Sequence, residues 1–377
     1  MKEISQPMPS MMLSRDDVIV GVDTHKDQHV AVLLDGLGGR LADLVIPATP
    51  PGFEMLLAFC LARVHSPGRL VAFGVEGTGS YGLGLARFLR RHGHDVREVS
   101  RPPRKGERRQ AGKTDTIDAE HAARQVVAGV LTATPKTADG SVEALRLIKV
   151  ARDTAVKAQS AAMITLKATL VTADDELRGA LEPLTDHRLI EACAALECVG
   201  APTTPAKAMR HVLASLARRW LSLHEEVKSL SWHLKHQTKT AAPRLVEAVG
   251  IGPDTAAEML IAAGDNTDRI RSESAFAKLC GVSPIPASSG KTHRHRLNRG
   301  GNRQANAALY RTVIVRMRWH QPTIDYVERR TAEGLTKREI IRCLKRYVAR
   351  ELYRLLPPSN VVEYSRAAAS DPSPQAA

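Results

Sequence analysis

Residues 18–23 read Val-Ile-Val-Gly-Val-Asp, an apolar run that ends on an acid. Residues 70–76, Leu-Val-Ala-Phe-Gly-Val-Glu, repeat this pattern. Short apolar runs of this kind predict buried strands. An acid at the end of such a strand is a poor core residue but a natural ligand for a hard cation. Asp23 and Glu76 are therefore candidate metal ligands, provided that the two strands are neighbours.

A third segment, Gly-Lys-Thr-Asp-Thr-Ile-Asp-Ala-Glu at 112–120, adds Asp115 and Asp118 at a predicted helix start. Residues three apart share one face of a helix. Four carboxylates at one edge of a sheet suit Mg²⁺, and a pair of such ions promotes phosphodiester cleavage. The alternative is structural: Asp115 is a plain N-cap, the helix dipole favours Asp118, and Asp23 and Glu76 are solvated loop acids.

The segments around these acids alternate between strand-like and helix-like patterns. Three early strands and then alternation of strands with helices is the order of an RNase H-like α/β fold, although other α/β folds share it. The predicted strands are Val18–Val22, Val30–Leu34, Leu41–Ile46, Leu70–Val75 and Asp95–Val99, and the predicted helices are Phe53–Val64, Leu83–His92 and Thr116–Ala128.

Composition points to a polyanionic partner. The chain has 377 residues, enough for two or three domains, and a formal net charge of +14. This balance favours nucleic acid over a membrane. Aromatic residues make up only 4%, which argues against an aromatic surface for stacking bases. The five cysteines form no CxxC pair, no apolar stretch is long enough to span a membrane, and no signal-peptide core is visible. We therefore expect a cytoplasmic protein.

The segment Leu245–Ala257 resembles a helix–hairpin–helix element. Gly250 and Gly252 would permit a tight turn, and the following helix N-terminus would offer free backbone N–H groups to a phosphate. The alternative is an ordinary connection between two helices that happens to contain glycine and proline.

A serine-containing loop follows, Ser-Pro-Ile-Pro-Ala-Ser-Ser-Gly-Lys-Thr-His-Arg-His-Arg at 283–296. Between Lys291 and Arg318 there are eight Lys or Arg residues and no acid. Guanidinium groups could hold a scissile phosphate while a serine attacks it. The alternative is a strip that only tracks phosphates. His293 and His295 are candidate bases, with a phosphate contact the safer interpretation.

Three motifs in the first third resemble those of the DEDD-type insertion-sequence transposases, to which the pilin-gene invertases are related. They are Gly21-Val-Asp-Thr-His-Lys-Asp27, Glu76-Gly-Thr-Gly-Ser-Tyr-Gly82 and Lys113-Thr-Asp-Thr-Ile-Asp-Ala119. The last third adds Gly281-Val-Ser-Pro284, Ser289-Gly290 and Arg299-Gly-Gly-Asn-Arg303. The resemblance covers about 17–130 and 240–320, in the family's order.

The resemblance implies a fold, a chemistry and partners. Asp23, Glu76, Asp115 and Asp118 would be the ligands of Mg²⁺, two ions for which Mn²⁺ can substitute. Ser289 would form a covalent phosphoserine link to DNA, with Ser288 as its rival because the register of a loop is soft. The partners would be donor DNA, target DNA and a structured noncoding guide RNA. The protein would be prokaryotic, nucleoid-associated and a homo-oligomer, a dimer or a tetramer. His25 and His121, next to the acidic motifs, are expected to make hydrogen bonds in the core or at the rim rather than to bind metal.

The expected domains are a flexible leader at 1–16, a RuvC-like nuclease domain at 17–135, a helical or coiled-coil arm at 136–240, a mostly helical C-terminal domain at 241–364 and a disordered tail at 365–377. The expected nucleic-acid contacts come from a basic loop, the hairpin and the serine region: Arg101, Arg104, Lys105, Arg108, Arg109, Lys113, Gly250, Gly252, Lys291, Arg294, Arg296, Arg299 and Arg303.

Two other functions remain open from sequence. The first is a hydrolytic RuvC-like nuclease or Holliday-junction resolvase, in which water attacks and the basic C-terminal domain only binds. The second is a non-catalytic nucleic-acid-binding protein that has kept an old fold. The intact set of four carboxylates favours an enzyme.

Overall fold

The computed structural model describes residues 13–99, 114–129, 132–197, 200–288 and 295–358. Its contacts form two compact units, one that ends at Ala138 and one that runs from Asp139 to Pro358. The first unit is α/β and the second is mostly helical, which confirms the predicted class. Most of the expected leader and all of the expected tail lie outside the described residues. The expected boundary near residue 240 stays a prediction.

The first unit is built on a six-stranded sheet with the order β3-β2-β1-β4-β5-β6. β1, β2 and β3 form an antiparallel meander, β4 and β5 run parallel to β1, and β6 pairs antiparallel with β5. The strands are β1 (Val18–Thr24), β2 (Gln28–Asp35), β3 (Arg40–Pro47), β4 (Leu70–Val75), β5 (Val96–Val99) and β6 (Thr132–Ala133).

Helices cover both faces of this sheet, which explains why residues 18–22 of β1 and 30–34 of β2 are apolar without alternation. Val20 and Val22 of β1 pack with α1 (Pro50–Leu61) and α2 (Leu83–Arg91). Ile19, one residue out of phase, packs on the other face with α3 (Asp115–Val127). The helix that carries two of the candidate acids therefore lies directly on the strand that carries a third.

Two long helices, α4 (Ser141–Leu170) and α7 (Pro205–Ala241), form the spine of the second unit. Arg152 Nε donates to Ser231 Oγ at 2.9 Å, and Gln159 Nε2 lies 3.2 Å from His224 Nδ1. Later residues of α4 thus meet earlier residues of α7, so the pair is antiparallel. Both helices lie where a helical or coiled-coil arm is expected, and the bounds of that arm as a domain, 136–240, stay a prediction.

Smaller elements surround the spine. α5 (Asp175–Leu181) and α6 (Asp186–Ala194) share a core with one end of it. A larger core at the other end includes Leu145, Leu234, Phe276, Leu309 and Leu352. It is formed with α8 (Pro243–Val246), α9 (Pro253–Ala263), α10 (Glu273–Leu279), α11 (Arg303–Trp319), α12 (Gln321–Ala332) and α13 (Lys337–Leu355). A short hairpin pairs β7 (Ile285–Pro286) with β8 (His295–Arg296). Among the described helices, none is both long and apolar enough to cross a bilayer.

Candidate functional site

The ends of β1 and β4 bring two candidate acids to the same edge of the sheet. Val22 of β1 pairs with Val75 of β4, so the next residues, Asp23 and Glu76, leave the pairing side by side. The Glu76 N–H donates to the Val22 carbonyl at 3.0 Å, and the Thr24 hydroxyl donates to the Glu76 carbonyl at 2.9 Å. The backbone that carries Glu76 is therefore tied to the end of β1.

The first turn of α3 supplies Asp115 and Asp118. Its N-cap is Thr114, whose Oγ accepts a hydrogen bond from the Ile117 N–H at 3.3 Å. The alternative in which Asp115 itself caps the helix is therefore wrong. The carboxylate of Asp115 points instead to a neighbour outside the helix, His25, at 3.4 Å.

Two glycines allow α3 to lie close to the sheet. A Cβ on Gly21 would be 2.0 Å from the Ala119 carbonyl oxygen and 2.3 Å from the Ala123 nitrogen. A Cβ on Gly74 would be 2.9 Å from the Ala122 carbonyl oxygen. These distances are far below van der Waals contact, so any side chain at Gly21 would push α3 and its acids away. Sequence reasoning missed this role, although each glycine stands two residues before an acid.

The tightest group of possible ligands consists of Asp23, His25 and Asp115, whose nearest donor atoms all lie within 4.8 Å of one another. His25 Nε2–H donates to Asp23 Oδ2 at 3.1 Å. Asp23 is 8% exposed, whereas the side chains of His25 and Asp115 are 43% and 44% exposed. The group therefore has one buried carboxylate and an open side. Asp118 and Glu76 lie outside this tightest group.

The site carries an excess of negative charge. Burial raises the pKa of Asp23, the nearby charges of Asp115 and Asp118 raise it further, and His25 acts in the opposite direction. A buried carboxylate beside like charges gains most from a cation placed among them. The donor set fits a divalent cation, because carboxylate oxygens are the preferred ligands of hard cations and an imidazole nitrogen is compatible with one.

The serine loop is described only in part. Ser288 is exposed two residues after β7, whereas Ser289, Lys291 and Arg294 lie outside the described residues. Arg296, Arg299 and Arg303 are exposed, and none of them forms an ion pair within the part of the chain that the structure describes.

The two glycine motifs that flank the serine loop meet in space. A Cβ on Gly301 would be 2.7 Å from the Gly281 nitrogen, and both glycines have a positive φ, +90° and +67°. The Asn302 N–H donates to the Leu279 carbonyl at 2.6 Å. Asn302 also caps α11 by accepting from Gln304 and Ala305. The start of α11 is thus held against the segment that leads into β7.

Comparison with known proteins identifies the family. A model described as a transposase, of the DEDD type of IS110 elements, matches residues 20–173. A second model, described as the transposase IS116/IS110/IS902 family, matches residues 242–328. The chain belongs to the IS110 family of DEDD transposases.

A curated relative agrees with this assignment. The chain is 28% identical over 148 residues to the "Insertion element IS110 uncharacterized 43.6 kDa protein" of Streptomyces coelicolor. The match covers 38% of this chain and spans only 36% of the length of that relative.

The hairpin of this family member differs from the expected phosphate site in one respect. Gly250 has a φ of +76° and Gly252 is the N-cap of α9, as a tight turn requires. The first turn of α9, however, already holds an anion of the protein, Asp254, which lies 2.8 Å from Lys149 Nζ and 3.2 Å from Arg152 Nη1. These cations, with burial acting against them, hold the pKa of Asp254 below its usual range. A phosphate contact at Gly250 and Gly252 stays a prediction.

The remaining predicted contacts cannot be placed. The six basic residues of the loop lie outside the described residues: Arg101, Arg104, Lys105, Arg108, Arg109 and Lys113. Of the two histidines near the acids, His25 makes the expected hydrogen bond, and it does so directly between two acids of the site.

Proposed function

We propose that this chain is the DNA transposase, or recombinase, of an insertion element. One observation carries the proposal: Asp23 and Asp115, from a strand end and a separate helix, converge on His25 at an open edge of the sheet. Family membership supports DNA as the substrate. The order β3-β2-β1-β4-β5, with a meander followed by two parallel strands, supports an RNase H-like, RuvC-like nuclease domain.

In the proposed mechanism, Asp23, Glu76, Asp115 and Asp118 hold Mg²⁺, two ions for which Mn²⁺ can substitute. When bound, these ions stabilise the charge that develops on the phosphate during cleavage. Asp23 supplies a buried carboxylate, Asp115 supplies one at the open side, and the charge of Asp118 acts on Asp23 from nearby. His25 orients Asp23 by its hydrogen bond.

The second group of residues would make the covalent intermediate. The Oγ of Ser289 forms a bond to the phosphorus, the bond from phosphorus to the departing nucleoside oxygen breaks, and that oxygen gains a proton as the serine loses one. The serine ester conserves the energy of the phosphodiester, so rejoining needs no ATP. Ser288 is the rival nucleophile. Arg296, Arg299 and Arg303 are exposed and form no ion pair with any residue that the structure describes, so they are suited to hold the phosphate.

The proposed partners are donor DNA, target DNA and a structured noncoding guide RNA, with the chain acting as a dimer or a tetramer. The net charge of +14 supports nucleic-acid partners. Ten Lys or Arg residues against three acids between Arg87 and Lys113, and seven against two between Lys337 and Arg354, are compatible with an RNA partner in addition to DNA. We expect the protein at the nucleoid.

The test is to trap the intermediate. The full chain is incubated with Mg²⁺, its guide RNA and a DNA fragment that carries the element junction, then denatured and separated on a gel. We expect a covalent protein–DNA adduct with the wild type and with Ser288→Ala, and none with Ser289→Ala or Asp23→Asn. An adduct that survives Ser289→Ala but not Ser288→Ala would move the nucleophile by one residue. Cleavage without an adduct under any condition would indicate a hydrolytic nuclease instead.

A further inference from the structure

A groove of about 530 Å³ lies between the β7–β8 hairpin and α13 in the helical unit. Its lining contains both apolar and charged side chains, and most of the charged side chains are cationic. The apolar contributors include Val282, Pro284, Leu297, Leu335 and Tyr347, and the charged ones are Arg296, Arg342, Lys345, Arg346, Arg350 and Glu339.

The cations of this groove are only partly compensated. Arg296 and Arg342 are exposed and form no ion pair with any described residue. Arg346 and Arg350 share a single carboxylate, that of Glu273, at 2.7 and 3.0 Å. The lining acid, Glu339, is occupied by the capping box at the start of α13, where it accepts from the Thr336 N–H at 2.9 Å. The groove therefore has a net positive charge available to an anion.

Two side chains of the groove, Arg346 and Lys345, carry positive charge that the described residues compensate only in part. The Nη1 atom of Arg346 is buried and has no hydrogen-bond acceptor among the described residues. Burial lowers the pKa of Lys345, and the charge of neighbouring Arg342 lowers it further. A phosphate beside Arg342 and the exposed part of Arg346 would supply the missing negative charge.

The apolar part of the lining argues against a fully paired duplex as the ligand. Leu297 is 53% exposed and Tyr347 is 49% exposed, and the Tyr347 ring is held edge-on against Tyr326 at a centroid distance of 5.6 Å. A duplex presents phosphates and sugars at its surface and keeps the faces of its bases stacked inside. Only an unpaired base can offer a flat apolar face to Tyr347 and Leu297 while its phosphates reach the arginines.

We propose that this groove binds one unpaired nucleotide of a single-stranded segment, with the base against Tyr347 and Leu297 and the phosphates on Arg342 and Arg346. The proposal rests on the proposed function only in taking nucleic acid as the ligand. It concerns binding and is independent of the acids and of the serine.

The test measures binding without cleavage. The full chain carrying Asp23→Asn is titrated against a fluorescent single-stranded DNA, a single-stranded RNA of the same sequence, and the fully paired duplex. Tyr347→Ala and Arg342→Ala probe the groove. Tyr310→Ala is the matched aromatic control, since Tyr310 is 47% exposed and lies outside the groove, and Arg338→Ala is the matched charge control from the same helix. Tyr347→Phe keeps the ring and guards against misfolding.

We expect Tyr347→Ala and Arg342→Ala each to weaken single-strand binding about tenfold, for DNA, RNA or both, with much less effect on the duplex. Tyr347→Phe and Tyr310→Ala should bind like the parent, and Arg338→Ala should weaken single strand and duplex alike. Equal losses on single strand and duplex with Tyr347→Ala or Arg342→Ala, or no loss with Tyr347→Ala, would overturn the proposal. Because cleavage is not measured, failure of the strand-transfer chemistry would leave this result unchanged.

Discussion

Gly21 and Gly74 face each other across β1 and β4, and each stands two residues before an acid of the candidate site. Because neither residue has a side chain, the backbone of α3 at Ala119, Ala122 and Ala123 lies directly against the sheet. Because α3 carries Asp115 and Asp118, this close approach sets the distance between the acids of the helix and those of the strands.

Replacing Gly21 by alanine should therefore disrupt both the fold and the site. The added Cβ would meet backbone atoms of α3 at 2.0 and 2.3 Å, and backbone cannot yield as the end of a flexible side chain can. We expect a loss of about 3 kcal/mol in the free energy of unfolding, measured with urea. Gly79→Ala is the control, because a Cβ there meets nothing within 4 Å, and it should change stability by less than about 0.5 kcal/mol. A Gly21→Ala protein as stable as the wild type would refute the close approach of α3.

His29 should make the stability of the chain depend on pH. Its ring is fully buried and stacks on Phe53, Nδ1–H donates to the Gln28 carbonyl at 3.0 Å, and Nε2 has no partner among the described residues. Burial lowers the pKa of His29, and the hydrogen bond to Gln28 opposes this only in part. The ring is thus neutral in the folded protein, whereas the unfolded chain takes up a proton near pH 6.5.

This difference in protonation between the folded and unfolded states makes the protein less stable at lower pH. The stability that neutral His29 contributes is complete above the ordinary pKa of histidine, and it is lost progressively as the pH falls from there to the lowered folded value. Between pH 7.5 and 5.5 the wild type should lose about 1 kcal/mol more than His29→Phe, which keeps a stacked ring but cannot titrate. Urea unfolding at several pH values measures the difference. Identical pH profiles for the two proteins would show that the His29 ring is not protonated on unfolding.

Arg316 should position the turn before α9. Its Nε–H donates to the Val249 carbonyl at 2.7 Å, and its two terminal nitrogens donate to both oxygens of Glu351 at 2.6 and 2.8 Å. These hydrogen bonds hold the pKa of Glu351 below its usual range. Arg316→Leu leaves the carbonyl and the carboxylate without their donor, so we expect about 2 kcal/mol of destabilisation, reduced by the solvent exposure of Glu351. Arg318→Leu, at an exposed position of the same helix, should have little effect in the same thermal melts. Equal melting temperatures for the two variants would contradict the role of Arg316.

Much of the first unit follows from local pattern. The apolar runs that end at Asp23 and Glu76 predict buried strands. Acids at the ends of neighbouring parallel strands lie at the same edge of the sheet. The helix that begins at Asp115 is equally evident, although its cap is Thr114. The pattern of apolar residues along the sequence is enough to predict these elements, because each of them buries a continuous apolar face.

The rest depends on contacts between distant segments. The position of His25 between two carboxylates follows from the docking of α3, which the sequence shows only through the repeated Gly-Val-acid pattern. The contact between Lys149 and Asp254 joins residues 105 positions apart, and no local rule predicts that α9 brings its own anion to the hairpin. The groove beside α13 was missed for the same reason, since a basic helix does not indicate which element covers it.

Whether Asp23 and Asp115 bind a divalent cation is tested by a titration of the full chain with Mn²⁺, followed by calorimetry or by the electron-spin signal of the free ion. We expect saturable binding by the wild type and by Asp43→Asn, an exposed acid of β3 that pairs with Arg40. We expect affinity more than about tenfold weaker for Asp23→Asn and for Asp115→Asn. Asp23→Asn and Asp115→Asn proteins that are folded and bind Mn²⁺ as tightly as the wild type would contradict metal binding by Asp23 and Asp115.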